Sequence, residues 1–398
     1  MRTANFSRAC RGGFPIMNNE SDTVPQKSHR RGSFLSLPKE DWLAIGWTFA
    51  IKLLLLVFAA ESLQILTNQR SIGFRRSLEL WNRWDSPHYL RLAEFGYSNT
   101  DPLKTWLYPL FPWTVRVFAF VTRDYLVAAF VVSGLALAAA AVLLRRLVAH
   151  DYGQAVAVRA VWFFLIFPTA YFLHIGYTES LFLAFLLASL LSARNDRWWM
   201  AGVFGALCWM TRPTGIILLP TLATEAAHQF WETKRWRWQW LWIGFVPAGF
   251  AVYLLLNLKI AGSAFAFLPM RERLFHITGA WPWIGMREAY RNQLRPPTAA
   301  IMVGTQELVF ASLGLLCAMI SWIKLRPIYA VWITGSWLLV TSASFLASEP
   351  RYALTLFPIF ILFSFAGRNP FWNGLLTATS LLFLGLFAGL FVRGWWAF

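Results

Sequence analysis

Long apolar runs separated by short charged or aromatic links dominate this sequence. A helix needs about 20 mostly apolar residues to cross ~30 Å of hydrocarbon, and the first such run is residues 42–60. Further runs cover residues 126–144, 156–173, 181–191, 242–258, 301–323, 328–346, 352–366 and 373–392. Two stretches break the pattern. Residues 106–121 are apolar, but Pro109, Pro112 and Arg116 predict an interfacial helix rather than a crossing. Residues 198–222 are interrupted by Thr211-Arg212-Pro213-Thr214-Gly215. They read as two half-membrane helices meeting at Arg212, a form tolerated where it is buried in protein or lines a cavity. The expected fold is an all-α polytopic membrane protein of about 10–11 transmembrane segments.

The polar links predict an orientation. Arg145-Arg146, Arg194, Arg197, Lys324, Arg326 and Arg368 follow or precede apolar runs and mark cytoplasmic ends under the positive-inside rule. Residues 61–124 then form a large first extracytoplasmic loop, long enough to escape that rule, and residues 259–300 a second. Residues 1–40, rich in Arg and Lys and without an early apolar core, are expected to be a disordered cytoplasmic tail rather than a cleavable signal. They precede a membrane domain at 41–398. Lys52 lies inside the first run and must pair, or face protein or water. No repeat at a fixed period is visible.

Composition agrees. Hydrophobic residues make up 57% and charged residues only 14%, against about 25% charged in soluble domains. The 23 tryptophans suit helix ends at lipid–water interfaces. A net charge of +17 would invite nucleic acid as a partner, but the basic residues are scattered between apolar runs. Membrane lipids suit them better. Cys10, Cys208 and Cys317 form neither a disulfide framework nor a metal pattern. Asp85 and Asp101 are too far apart for a D-x-D pair, no His/Asp cluster has ligand spacing, and no soluble nucleotide-sugar domain is visible. No metal or cofactor is expected.

The chemistry concentrates in residues 81–97, a polar and aromatic island after the first apolar run. Asp85 sits between Trp84 and Ser86-Pro87. Ser86 as N-cap, Pro87 in the first turn and Gly96 beyond the end predict a short helix over 87–95. Asp85 has a structural reading, satisfying that helix's free N–H groups, and a chemical one. Trp81, Trp84, His88 and Tyr89 equally suit an aromatic belt. Glu179 reads as a helix terminus, and Arg351 as a snorkelling side chain. Arg212 at membrane depth is a functional candidate, with a lipid phosphate or buried carboxylate as partner. The predicted topology puts the clusters around Asp85, Tyr177/Glu179 and Arg351 on one face.

These residues carry a resemblance. Trp84-Asp85-Ser-Pro-His88-Tyr89 through Gly96-Tyr97, then Tyr108-Pro109-Leu-Phe-Pro112, resembles the signature of the PIG-V family, the second mannosyltransferases of GPI-anchor synthesis and their bacterial relatives. Gly176-Tyr177-Thr178-Glu179-Ser180-Leu-Phe, Arg212-Pro-Thr-Gly215 and Arg351-Tyr352 are similar to further family elements. Leu107-Tyr108 replaces the usual Phe-Phe. The resemblance covers about residues 42–366. It implies a GT-C membrane glycosyltransferase using a polyprenyl-phosphate sugar, mannose by family, and a lipid, glycan or protein acceptor. It also implies an acidic residue in the first external loop as the catalytic centre, matched by Asp85, which would be the general base of an inverting transfer. Arg212 and Arg351 become candidates for the phosphate, Trp84, His88, Tyr177 and Glu179 for the sugar, and Tyr352 for substrate binding. The short chain and compact loops suggest a bacterial plasma membrane; a eukaryotic protein would face the lumen of the endoplasmic reticulum. Two other classes compete. A transporter or flippase of a polyprenyl-linked substrate would use Arg212 and the broken helix, though such folds place polar sites at midplane. A purely structural partner leaves the clustering unexplained.

Overall fold

The chain's apolar runs form helices, and the polar links between them form short helices and turns. The computed structural model describes residues 38–67, 73–97, 102–293 and 304–396. Most of the expected tail, Asp101 and the end of the second expected loop lie outside the described residues. The helices are α1 (Lys39–Thr67), α2 (Phe74–Glu79), α3 (Ser86–Phe95), α4 (Leu110–Thr122), α5 (Tyr125–Tyr152) and α6 (Gln154–Ile166). Then come α7 (Glu179–Arg194), α8 (Trp198–Trp209), α9 (Leu218–Thr233), α10 (Pro247–Ala261), α11 (Met270–Phe275) and α12 (Pro282–Asn292). The chain ends with α13 (Thr305–Lys324), α14 (Pro327–Thr341), α15 (Glu349–Tyr352), α16 (Pro358–Ala366) and α17 (Pro370–Val392). The fold is all-α, as the pattern predicts.

Among the described residues, five helical stretches are long and apolar enough to cross a membrane: Lys39–Ile65, Tyr125–Tyr152, Trp238–Ala261, Thr305–Lys324 and Pro370–Val392. Their burial separates them into layers. The apolar window of α5 is 61% buried, whereas those of α1 and of Trp238–Ala261 are 22% buried. Leu53, Leu54, Val57 and Phe58 leave a broad exposed apolar face on α1. Such a face is a liability in water and expected against lipid. α5 and α7 form the centre. Leu137, Ala140, Ala141 and Leu144 of the first, and Leu186, Leu187 and Leu190 of the second, are completely buried.

Several element boundaries differ from the apolar pattern, for a common reason. A helix is held by its own backbone ladder and needs no apolar side chains to continue. α1 therefore runs past residue 60 to Thr67, and α5 runs through Arg145-Arg146 to Tyr152. Proline acts in the other direction. The run 156–173 yields a helix only to Ile166, ahead of Pro168, followed by a 3-10 turn at Ala170–Leu173. The run 352–366 yields the nine-residue α16, starting at Pro358. The break at residues 210–212, between α8 and a 3-10 turn at Pro213–Ile217, is where the sequence puts it.

The charged helix ends gather at one pole of the bundle. Arg145 and Arg146 both bind the buried Asp41 carboxylate. Arg194 joins Asp151 at 2.5 Å to Glu225 at 2.8 Å, and Arg326 completes the Glu225 pair at 3.0 Å. At the other end of α7 stands Glu179. With about 1.5 Å of rise per residue, this 16-residue helix separates two polar poles by roughly 24 Å.

Helices α8 and α10 cross where Gly249 lies directly against the α8 backbone at Ala206 and Met210. A Cβ on Gly249 would lie 1.8 Å from the Ala206 carbonyl oxygen, so the helices would have to part. Gly46 on α1 faces open space. Gly249→Ala should cost about 1–3 kcal/mol through overpacking, and Gly46→Ala should be neutral or slightly stabilising. Thermal unfolding in detergent would separate them; equal midpoints for the two variants would contradict this packing.

Candidate active site

The residues before α3 make a tight bend. Trp81 is buried and stacks on Phe391 of α17 at 5.9 Å between ring centroids. The Arg83 guanidinium donates to the carbonyls of Leu80 and Val392, at 3.1 and 2.8 Å. Trp84 has φ +57°, a left-handed backbone that is strained for a large side chain. That reversal turns Asp85 toward the bundle. The sequence reading made Ser86 the N-cap of α3. The structure puts Asp85 there, and its side chain makes no capping hydrogen bond to the helix. The carboxylate is drawn elsewhere, to an arginine across the bundle.

That arginine is Arg351 of α15, whose Nη1 donates to Asp85 Oδ2 at 2.5 Å. Its Nε donates to Glu179 Oε1, the first residue of α7. Arg212, in the α8 break, donates to the same Glu179 oxygen and to Thr178 Oγ1, the latter at 2.9 Å. The result is a chain of alternating charge: Arg212, Glu179, Arg351, Asp85. Its inner members are sealed, with side-chain exposures of 8%, 0% and 6%, whereas Asp85 is 41% exposed. Only the last carboxylate meets the outside. Aromatic faces sheathe the cations: Arg351 lies over Tyr177 at 4.6 Å and Phe172 at 5.2 Å, and Arg212 over Tyr352 at 5.4 Å. Burial alone would lower the Arg351 pKa, but the carboxylates of Glu179 and Asp85 hold it well above its usual value.

The link between α6 and α7 sets the second half of the site. Tyr177 Oη donates to the Arg83 carbonyl at 2.7 Å and accepts from the Asp85 amide at 3.3 Å. Burial, then the nearby Asp85 carboxylate, push this phenol well above its ordinary pKa, so it remains a donor. Gly176 passes through a narrow gap, where a Cβ would lie 3.0 Å from Ser86 Oγ and 3.3 Å from Ala129 Cβ. The loop bearing Arg351 is fixed from α13. Glu307 accepts from the amides of Ser348 and Glu349 at 3.0 and 2.7 Å, and Thr169 Oγ1 donates to the Pro350 carbonyl at 2.6 Å.

Six of the eight residues singled out in sequence thus converge: Asp85, Tyr177, Glu179, Arg212, Arg351 and Tyr352. Tyr177 and Glu179 were assigned to the sugar. Both are fully buried, one holding the Asp85 backbone and the other compensating two guanidinium groups. The Trp84 ring faces Trp396 at 5.0 Å, and His88 is half-buried in the first turn of α3. Sequence reasoning missed Arg83, Thr178, Gly176 and Glu307. Of these, Glu307 carried a signal, a carboxylate at the head of an apolar run. Among the described residues, no three His, Cys, Asp or Glu side chains are placed to hold a metal ion.

Residues 59–246 match the family model described as Mannosyltransferase (PIG-V). No curated protein matches the chain. Among solved structures, the chain is similar to the apo oligosaccharyltransferase of Archaeoglobus fulgidus, at 12% identity and a TM-score of 0.45 over 88% of this chain and 57% of that one. It is also similar to the Archaeoglobus fulgidus oligosaccharyltransferase AglB in complex with an inhibitory peptide and a dolichol-phosphate, at 11% identity and a TM-score of 0.44, covering 87% and 56% of the two chains. The chain spans a little over half the length of these proteins.

The burial gradient along the charge chain makes two stability predictions. Glu179→Gln leaves Arg212 and Arg351 buried against each other without their shared anion. It should cost about 3–5 kcal/mol, as for other broken buried pairs. Asp85→Asn removes only the half-open end and should cost about 1 kcal/mol or less. Denaturation of the two variants in detergent tests the order, and a larger loss from Asp85→Asn would refute it. Glu349 gives a pH prediction. Burial first, and the neighbouring Glu307 carboxylate second, push its carboxyl well above the ordinary 4.5. A raised carboxyl pKa favours the folded state at low pH, and the contribution is lost as pH rises. The wild-type thermal midpoint should therefore fall relative to that of Glu349→Gln as pH is raised above 4.5. Parallel pH profiles would show that Glu349 is not the cause. Residues 59–246, somewhat under half of the chain, are thus similar to the mannosyltransferase (PIG-V) family, in a chain that carries helices long and apolar enough to cross a membrane.

Proposed function

We propose that the protein transfers a sugar, mannose in the first instance, from a polyprenyl-phosphate donor to an acceptor hydroxyl, with inversion at C1 and Asp85 as general base. The observation that carries this reading is the charge chain itself: three sealed ionic groups ending in one half-exposed carboxylate. In the reaction the acceptor oxygen attacks C1 and its proton passes to the Asp85 carboxylate. The bond from C1 to the phosphate oxygen breaks, and its electron pair leaves on the lipid phosphate. No strong general acid is needed, because the leaving group is already an anion. General-base help is typically worth ~10²–10⁴-fold.

The pairing with Arg351 couples the two halves of this step. As Asp85 takes the proton it loses its negative charge, and its hold on the Arg351 Nη1 weakens. The guanidinium is then available to the departing phosphate, where a planar fork of donors is well suited and positive charge is most valuable. Arg212, through Glu179, keeps Arg351 in place. Trp84, His88 and Tyr352, near Asp85 and Arg351 in the chain, are the remaining candidates to contact the substrate.

The surroundings suit a lipid-borne donor. An apolar cavity of about 450 Å³ lies between α6, α13, α16 and α17, lined by Phe167, Val309, Phe310, Leu313 and Phe383 among others. Its lining includes Pro168 and Gln306, the chain neighbours of Thr169 and Glu307, which hold the Arg351 loop. A hydrocarbon tail fits such a space. The arginine-rich pole around Arg145, Arg194 and Arg326 suits the cytoplasmic side. On that reading Asp85 faces the opposite side, residues 1–40 are a cytoplasmic tail, and residues 41–398 are the catalytic domain. Arg212, which favoured a transporter in sequence, is buried and engaged by Glu179 and Thr178. It does not favour that alternative here.

Purified protein in lipid, given polyprenyl-phosphate mannose and a panel of glycolipid, glycan and peptide acceptors, should release polyprenyl phosphate and form a mannosylated product. Asp85→Asn should lower kcat by about 10²–10⁴-fold while melting close to wild type. Wild-type turnover in a folded Asp85→Asn protein would sink the base assignment. Glucose or arabinose donors serving better than mannose would redirect the substrate.

A further inference from the structure

Lys52 is a cation halfway along α1, one of the five stretches able to cross a membrane. Its position demands a partner, and the structure supplies two backbone oxygens. The Lys52 ammonium donates to the carbonyl of Phe130 on α5 and to the carbonyl of His174, each at 2.8 Å. The Phe130 ring adds a face at 5.3 Å. A bland account would stop there, with a buried lysine that has found local acceptors. The second acceptor says more. His174 lies outside any helix, in the link that leads to Tyr177, Thr178 and Glu179.

We propose that Lys52 is a positioning residue for the active site, holding the His174–Thr178 link against α5 so that the Tyr177 hydroxyl fixes the backbone at Asp85. This rests on the proposed reading of Asp85 as the base. The path is short and continuous. Lys52 binds the His174 carbonyl, the Tyr177 amide closes a turn onto the Ile175 carbonyl at 2.7 Å, and Tyr177 Oη binds at Arg83 and Asp85. Gly176 threads this turn between Ser86 and Ala129, so a small shift of the link presses on the residue next to Asp85. α5 makes room for the ammonium. A Cβ on Gly134 would lie 3.1 Å from Lys52 Nζ, so the glycine leaves the space that the ammonium fills.

Three variants test this. Lys52→Met keeps the unbranched shape and most of the length of the side chain and removes the donor. Because misplacement by about 1 Å can cost 10²-fold, kcat should fall about 10–100-fold, with the donor KM within about threefold of wild type. Gly134→Ala keeps the lysine and crowds it. Alanine favours the helix itself, so a several-fold loss of kcat without a lower melting temperature marks displacement rather than damage to the fold. Tyr177→Phe cuts the same path further along. In that background Lys52→Met should add little, whereas independent effects would multiply. Amide exchange supplies a readout that needs no substrate: residues 174–178 should exchange faster in Lys52→Met than in wild type. Wild-type kcat in folded Lys52→Met, multiplying effects in the double variant, or unchanged exchange over 174–178 would each overturn the assignment. If the wild-type chain transfers no sugar, the proposed function fails, and the exchange experiment still decides the role of Lys52.

Discussion

Glu179 is the group on which the rest of the site depends. A carboxylate with no exposed side-chain surface must be compensated within hydrogen-bond reach, because it is out of contact with bulk solvent. Two arginines from distant parts of the chain, Arg212 and Arg351, converge on one of its oxygens. That requirement fixes the break between α8 and α9, the turn leading into α16, and the start of α7 in one place. Arg351 then has donors left over, and it spends one on Asp85. The half-open carboxylate is in this sense held out to the surface by a buried charge balance.

The same rule explains where the other ionic groups lie. Lys52 and Glu307, each within a stretch able to cross a membrane, bind backbone groups of site-bearing segments rather than a side chain of opposite charge. At the far pole Asp41, Asp151 and Glu225 are paired with Arg145, Arg146, Arg194 and Arg326. Between the poles α5 and α7 are nearly featureless apolar helices. The bundle is thus an apolar spacer with an ionic cluster at each end; at the far pole the carboxylates of Asp41, Asp151 and Glu225 are buried, whereas that of Asp85 is partly open.

Much of this was legible in the sequence. The apolar runs located the helices, because a chain cannot bury unpaired backbone in lipid and forms helices there. Pro213 and Gly215 located the break at Arg212, and the Trp84-Asp85-Ser86-Pro87 motif located the helix that Asp85 precedes. Helix ends were less legible where a run ended in polar residues, as at Glu61 to Gln64. There the backbone ladder continues although the apolar signal stops. They were also misread where proline cut an apolar run short, as at Pro168 and Pro358.

The amino-acid sequence by itself determined the helical, membrane-spanning character of this protein and singled out six of the residues that converge at the candidate site, through local composition and short motifs. It could not determine partners. That Glu179 serves two arginines, that Tyr177 faces the backbone of Asp85 rather than a ligand, and that a lysine in the first long helix reaches the link beside them were decided only by the tertiary structure. These contacts join residues 33 to 172 positions apart in the chain, and their energies depend on burial. Burial is a property of the packed bundle, and no single segment carries it.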